Sequence, residues 1–146
     1  MIVGIGTDLC DMRRVERLIS RFGARFLERA FSPEERAYAD RRSGEARIGT
    51  YAKRWAAKEA CVKALGTGFA NGVHLADIHV TRHPGGAPGL ALRGRALDVL
   101  LAKMPPRMIP DIHLSLTDEP PTAMAVVLIQ ALRESVGAAD PIHIRP

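Results

Sequence analysis

The sequence predicts an α+β domain: a largely antiparallel sheet with helices packed on it. Three observations carry this. Strand-like and helix-like patterns follow one another in the order β-α-α-α-β-β-α-β-β. The later strands come in neighbouring pairs joined by short turn sequences, as antiparallel hairpins do. A chain of 146 residues, 47% hydrophobic and 25% charged, has the size and composition of one globular core.

Each element has a local reason. Ile2, Val3 and Ile5 before Gly6-Thr7-Asp8 predict a strand over about 2–8, internal because it is apolar on both faces. Met12, Val15, Leu18, Ile19 and Phe22 recur at helical spacing and Gly23 stops them; Arg13, Arg14, Arg17 and Arg21 fall on the outer face. "SPEE" at 32–35 is a capping box with proline at the first helical position, which starts a helix running from 33 to about 42. Ser43-Gly44 interrupts, and the next helix runs from about 47 to 65, ending at Gly66-Thr67-Gly68. "DIHVTRHPGGAPGLALRG" alternates on both sides of a Gly/Pro turn and reads as a hairpin. "RALDVLLAKM" is a helix stopped by Pro105-Pro106, and "DIHLSLTDEPPTAMAVVLIQAL" gives two strands joined at 119–122. The domain is expected over 1–132, with 133–146 a C-terminal tail.

Composition narrows the function. No apolar run reaches the ~18 residues of a membrane span, and "AMAVVLIQAL" is too short. The start, "MIVGIGTDL", has no secretory pattern, so a cytoplasmic protein without a membrane partner is expected. Cys10 and Cys61 are too few for a disulfide framework or a zinc site. The net charge of +5 and pI near 9.8 favour anionic partners. Only 5% of residues are aromatic and none alternates with the arginines of 13–21, so a base-stacking nucleic-acid surface is not expected there.

The chemistry concentrates in "WAAKEACVKALGTG", residues 55–68. Tyr51, Trp55, Val62 and Leu65 fall within about 80° of one another at 100° per residue, an apolar stripe that includes Lys58. Glu59 and Lys63 lie on its shoulder beside Ala52, Ala56 and Ala60, too small to cover them. Asp8 at a strand end, Glu59 on the helix and Asp118-Glu119 are the candidate carboxylates. One or two carboxylates, completed by water and phosphate, are the usual protein ligands of Mg²⁺. Each residue also has a plain structural role: Asp8 as a helix cap, Glu59 as an i,i+4 partner of Lys63, Lys58 as a buried stem, the glycine turn as a C-cap. His113 and Ser115 share a strand face without a nucleophile elbow around them.

"GIGTDL" at 4–9, "FSPEE" at 31–35, "WAAKEACVKALGTG" at 55–68 and "HLSLTDEPPTAMAVVLI" at 113–129, in that order, resemble the bacterial holo-[acyl-carrier-protein] synthases, the small class of 4′-phosphopantetheinyl transferases. The resemblance implies transfer of 4′-phosphopantetheine from coenzyme A to a serine of apo-acyl carrier protein, releasing adenosine 3′,5′-bisphosphate, in fatty acid biosynthesis. It implies Mg²⁺ between Asp8 and Glu59. It implies Asp8, Glu59 and Lys63 in catalysis, and coenzyme held by Lys58, Lys63, Gly66, Thr67, Gly68 and His113, in space left by the alanines. The acidic carrier would dock on Arg13, Arg14, Arg17 and Arg21, and the chain would form a homotrimer. Where many members have a histidine after "SLT", this chain has Asp118. A basic nucleic-acid-binding module and an inactive trimeric scaffold are the alternatives to this activity.

Overall fold

Burial along the last strand explains how the sheet is built. Ala123, Ala125, Val127, Ile129 and Ala131 are buried at every second position, so one face of that strand is committed to the core. The computed structural model describes residues 1–134, so nearly all of the expected tail lies outside the described residues. Its elements are β1 (Ile2–Asp11), α1 (Met12–Phe22), α2 (Ala24–Ala30), α3 (Pro33–Ala39), α4 (Gly44–Leu65), a 3-10 turn (Leu75–Asp77), β2 (Ile78–Arg82), β3 (Pro88–Leu92), α5 (Gly94–Ala102), β4 (Met108–Glu119) and β5 (Thr122–Arg133). The main sheet has the order β1-β5-β4, antiparallel throughout, and β2-β3 form a separate antiparallel pair. The α+β class with antiparallel sheets is as the sequence predicts.

Two expectations about the elements change. Helix α2 was not expected; it lies between Gly23, which serves as both C-cap of α1 and N-cap of α2, and the Ser32 capping box. Strand β1 is an edge strand, not an internal one. Its outward residues Ile5 and Leu9 are 63% and 68% exposed, while Gly4, Gly6, Asp8 and Cys10 alternate on the face toward α4.

That face packs closely. A β-carbon at Gly4 would overlap the carbonyl oxygen of Ala64, and one at Gly6 the carbonyl oxygen of Ala60. Ala52, Ala56 and Ala60 are fully buried. The alanines therefore let α4 approach the sheet; they do not leave space for a ligand, as the sequence reading expected. From Gly49 to Leu65 only Lys63 is exposed, so the helix is wrapped on all sides. Among the described residues no helix is long and apolar enough to cross a membrane.

Candidate active site

Close packing of β1 on α4 brings Asp8 and Glu59 to one place. Asp8 Oδ1 accepts from Lys63 Nζ at 3.0 Å, and Lys63 Nζ also donates to the Thr7 carbonyl at 2.9 Å. This displaces both plain roles weighed for the acids. Asp11, not Asp8, caps α1, accepting from the Arg13 amide at 2.9 Å. Lys63 bridges across to Asp8 instead of back to Glu59. Glu59 is half-buried and makes no hydrogen bond or ion pair among the described residues.

Burial, then the charge of Asp8, raises the Glu59 pKa above the ordinary carboxylate value; Lys63 and Arg14 oppose this without cancelling it. Burial, with Asp8 the next cause, likewise pushes the nearby Cys10 thiol up to about 11. A half-buried carboxylate without a donor, repelled by a second one, is a place where a cation is favourable. The donor set is all oxygen, from two carboxylates, and suits Mg²⁺ completed by water and phosphate. No group of three or more His, Cys, Asp or Glu side chains is placed to hold a metal ion among the described residues, so an all-protein cage is not what this site offers.

The glycine turn follows directly. Gly66 ends α4 in the left-handed region (φ 73°), its amide donating to Lys63 O at 3.0 Å and the Thr67 amide to Val62 O at 3.2 Å. The sequence reading overlooked Lys103, whose Nζ lies 3.8 Å from where a Gly66 β-carbon would be. Its position after α5 gave no local signal, because only the fold brings it to the turn.

Beside Glu59 runs a groove of ≈ 390 Å³, lined by Arg29, Trp55, Phe69, His74 and Leu75 among others. A second groove, of ≈ 590 Å³, shares Arg29, Trp55 and Leu75 with it and continues to Arg14, Leu18, Phe22, Arg25 and Phe26. Of the arginines read from sequence, Arg14 lines this apolar-floored groove and Arg21 stacks on Phe22, 5.1 Å from its centroid. Arg17 is exposed, and Arg13 is held by Asp11 at 2.8 Å. Arg25 and Arg29, from the helix that the sequence reading missed, complete the basic rim.

Three residues stand elsewhere. Lys58, expected at the coenzyme, is fully buried; its ammonium donates to Ala30 O, Glu35 Oε2 and Leu75 O, which uses all three protons and leaves none for a phosphate. His113 faces the opposite side of the sheet from Asp8, paired at 2.9 Å with Asp111 and 2.9 Å from Gln130 Nε2, so within one chain it does not reach Glu59. Asp118 binds Lys53 of α4 at 2.6 Å, and its Oδ2 would lie 2.9 Å from a β-carbon at Gly49.

The sequence profile described as the 4′-phosphopantetheinyl transferase superfamily matches residues 4–103. The chain belongs to that superfamily, in its holo-[acyl-carrier-protein] synthase family. A holo-[acyl-carrier-protein] synthase of Gluconobacter oxydans is 57% identical over 132 residues, covering 90% of this chain and 84% of the relative. The crystal structure of the Neisseria meningitidis holo-[acyl-carrier-protein] synthase superimposes with a TM-score of 0.74 at 35% identity, over 89% of this chain and 99% of that one. A Bacillus anthracis holo-(acyl-carrier-protein) synthase, solved in complex with CoA (3′,5′-ADP), gives a TM-score of 0.70 at 32% identity, over 88% and 96%.

Proposed function

We propose that this chain transfers 4′-phosphopantetheine from coenzyme A to a serine of apo-acyl carrier protein at the Asp8–Glu59 pair, releasing adenosine 3′,5′-bisphosphate. The observation that carries the reading is Glu59, half-buried, without a partner and repelled by Asp8, at the head of a groove. Mg²⁺ held by Asp8 and Glu59 would neutralise charge developing on the diphosphate. Lys63 keeps one proton beyond its bonds to Asp8 and Thr7 for a phosphate oxygen, and Lys103 flanks the turn Gly66, Thr67, Gly68. A carboxylate of this pair, Glu59 or Asp8 through a bound water, would accept the proton of the serine hydroxyl.

Docking of the carrier follows from the joined grooves. An acidic helical carrier would meet Arg14, Arg25 and Arg29 around an apolar floor, with Arg17 and Arg21 steering its approach. The shared lining at Trp55 and Leu75 leads from there to Glu59. A homotrimer formed through the exposed apolar face of β1, at Ile5 and Leu9, would give His113 a role in a neighbour's site. In this reading the protein would work in the cytoplasm, in fatty acid biosynthesis. The experiment is mass spectrometry of apo-carrier incubated with coenzyme A and Mg²⁺. The wild type adds the phosphopantetheine mass, Asp8→Ala and Glu59→Ala do not, and Arg14→Glu/Arg25→Glu does so only at raised carrier concentration. Near-normal transfer by Glu59→Ala would remove it from the site.

A further inference from the structure

The buried Lys58–Glu35 pair spends its bonds on five separate elements. Lys58 Nζ, on α4, donates to Ala30 O at the end of α2 (2.7 Å), to Glu35 Oε2 on α3 (2.9 Å) and to Leu75 O in the 3-10 turn (3.4 Å). Glu35 Oε2 also accepts from the Ser32 amide at 2.8 Å, and Oε1 from the Val80 amide of β2 at 2.9 Å. Both side chains are 1% exposed. A buried pair of this kind is often no more stable than well-packed apolar residues of the same volume, because desolvating two charges offsets their attraction. Stability alone therefore does not account for it. What the pair adds over apolar packing is direction: each bond fixes one element at a defined distance from one ammonium.

Three of these elements, α4, α2 and the 3-10 turn, help to form the groove at Glu59. The floor is α4, through Trp55 and Glu59. One wall is Arg29, the residue before Ala30; the other runs from Phe69 to Ala76 and includes Leu75. Lys58 thus ties the helix that forms the floor to both walls.

We propose that Glu35 is a positioning residue for the transfer: acting through Lys58, it sets the separation between the helix that carries Glu59 and the two walls of its groove. The proposal rests on reading the Asp8–Glu59 site as the place where coenzyme binds. Glu35 touches no reacting atom. Its effect is on coenzyme binding, since a wall left free must be ordered each time the ligand enters.

The test is the double variant Glu35→Gln/Lys58→Met, which removes both charges and so strands neither in the interior. The expected result is a cooperative melting curve, a KM for coenzyme A raised about tenfold or more, a clearly smaller rise in the KM for carrier protein, whose groove shares only Arg29, Trp55 and Leu75 with this one, and a kcat within about threefold of wild type. Amide hydrogen exchange over residues 66–76 should be about tenfold faster or more in the ligand-free variant. Unchanged coenzyme KM with unchanged exchange overturns the proposal, and so does an equal rise in both KM values. If the double variant does not fold, Glu35→Gln alone is judged by the same readings. The exchange measurement needs no turnover. Should Glu59→Ala prove active, so that the site reading fails, faster exchange at 66–76 still upholds the tie between these elements, and unchanged exchange overturns it.

Discussion

Replacing Gly6 by alanine should damage catalysis through the backbone, although residue 6 carries no chemistry. Gly6 lies two residues before Asp8 on the same face of β1. Its new β-carbon would overlap the Ala60 carbonyl oxygen and stand 2.7 Å from the Ala64 amide nitrogen and 3.0 Å from the Ala60 carbonyl carbon, where ordinary contact begins at 3.4 Å. All three obstacles are backbone atoms of α4, so no side-chain rotation relieves them. The strand must withdraw by about 1 Å, and a misplacement of that size in a reacting constellation costs on the order of 10²-fold in rate. That corresponds to about 2.7 kcal/mol in the barrier. Overpacking separately costs about 1–3 kcal/mol of stability, and at about 2–4 °C per kcal/mol for a chain of this size the melting midpoint should fall by roughly 2–12 °C. Gly85, with nothing within 4 Å of its added β-carbon and an ordinary φ, is the matched control. Circular dichroism gives the midpoints, and mass gain of the carrier gives kcat/KM. If Gly6→Ala behaves like Gly85→Ala in both, the contact between β1 and α4 does not set the site.

Two further outcomes follow from the same geometry. Because burial and Asp8 raise the Glu59 pKa, and because a cation needs the ionised form, Mg²⁺ affinity measured by calorimetry should weaken as pH falls through that raised value, with protons released on binding; affinity that weakens only at the ordinary carboxylate value would contradict this. Asp118→Asn breaks a partly exposed ion pair with Lys53, so it should cost less than about 1 kcal/mol of stability and keep at least about a tenth of the turnover; a hundredfold loss in folded protein would put Asp118 in the chemistry.

What could be read from the sequence was what is encoded locally. The Ser32–Glu35 capping box lies within four consecutive residues and forms as written, with both reciprocal bonds present. Asp8 and Glu59 were legible as carboxylates of two separate motifs, which the packing of β1 on α4 brings together. Helix α2 was not, since a glycine stands where a side-chain cap would announce it. The edge position of β1 was hidden by Gly4 and Gly6, which take the core-facing positions without looking apolar. Lys58 was misread for a different reason: its three acceptors are 28, 23 and 17 residues away, and only the fold brings them together.

The enclosure of α4 also bears on how this chain can change. A helix at a protein surface usually has a wet side on which substitutions accumulate at little cost. Between Gly49 and Leu65 this one offers a single such position, Lys63, and that residue is bonded to Asp8. A saturation scan should therefore find almost no neutral stretch along these seventeen residues. New specificity, whether for another carrier or for a coenzyme A thioester, has to be sought on the surrounding walls, in α1, α2 and the segment 66–76, while the central helix stays fixed.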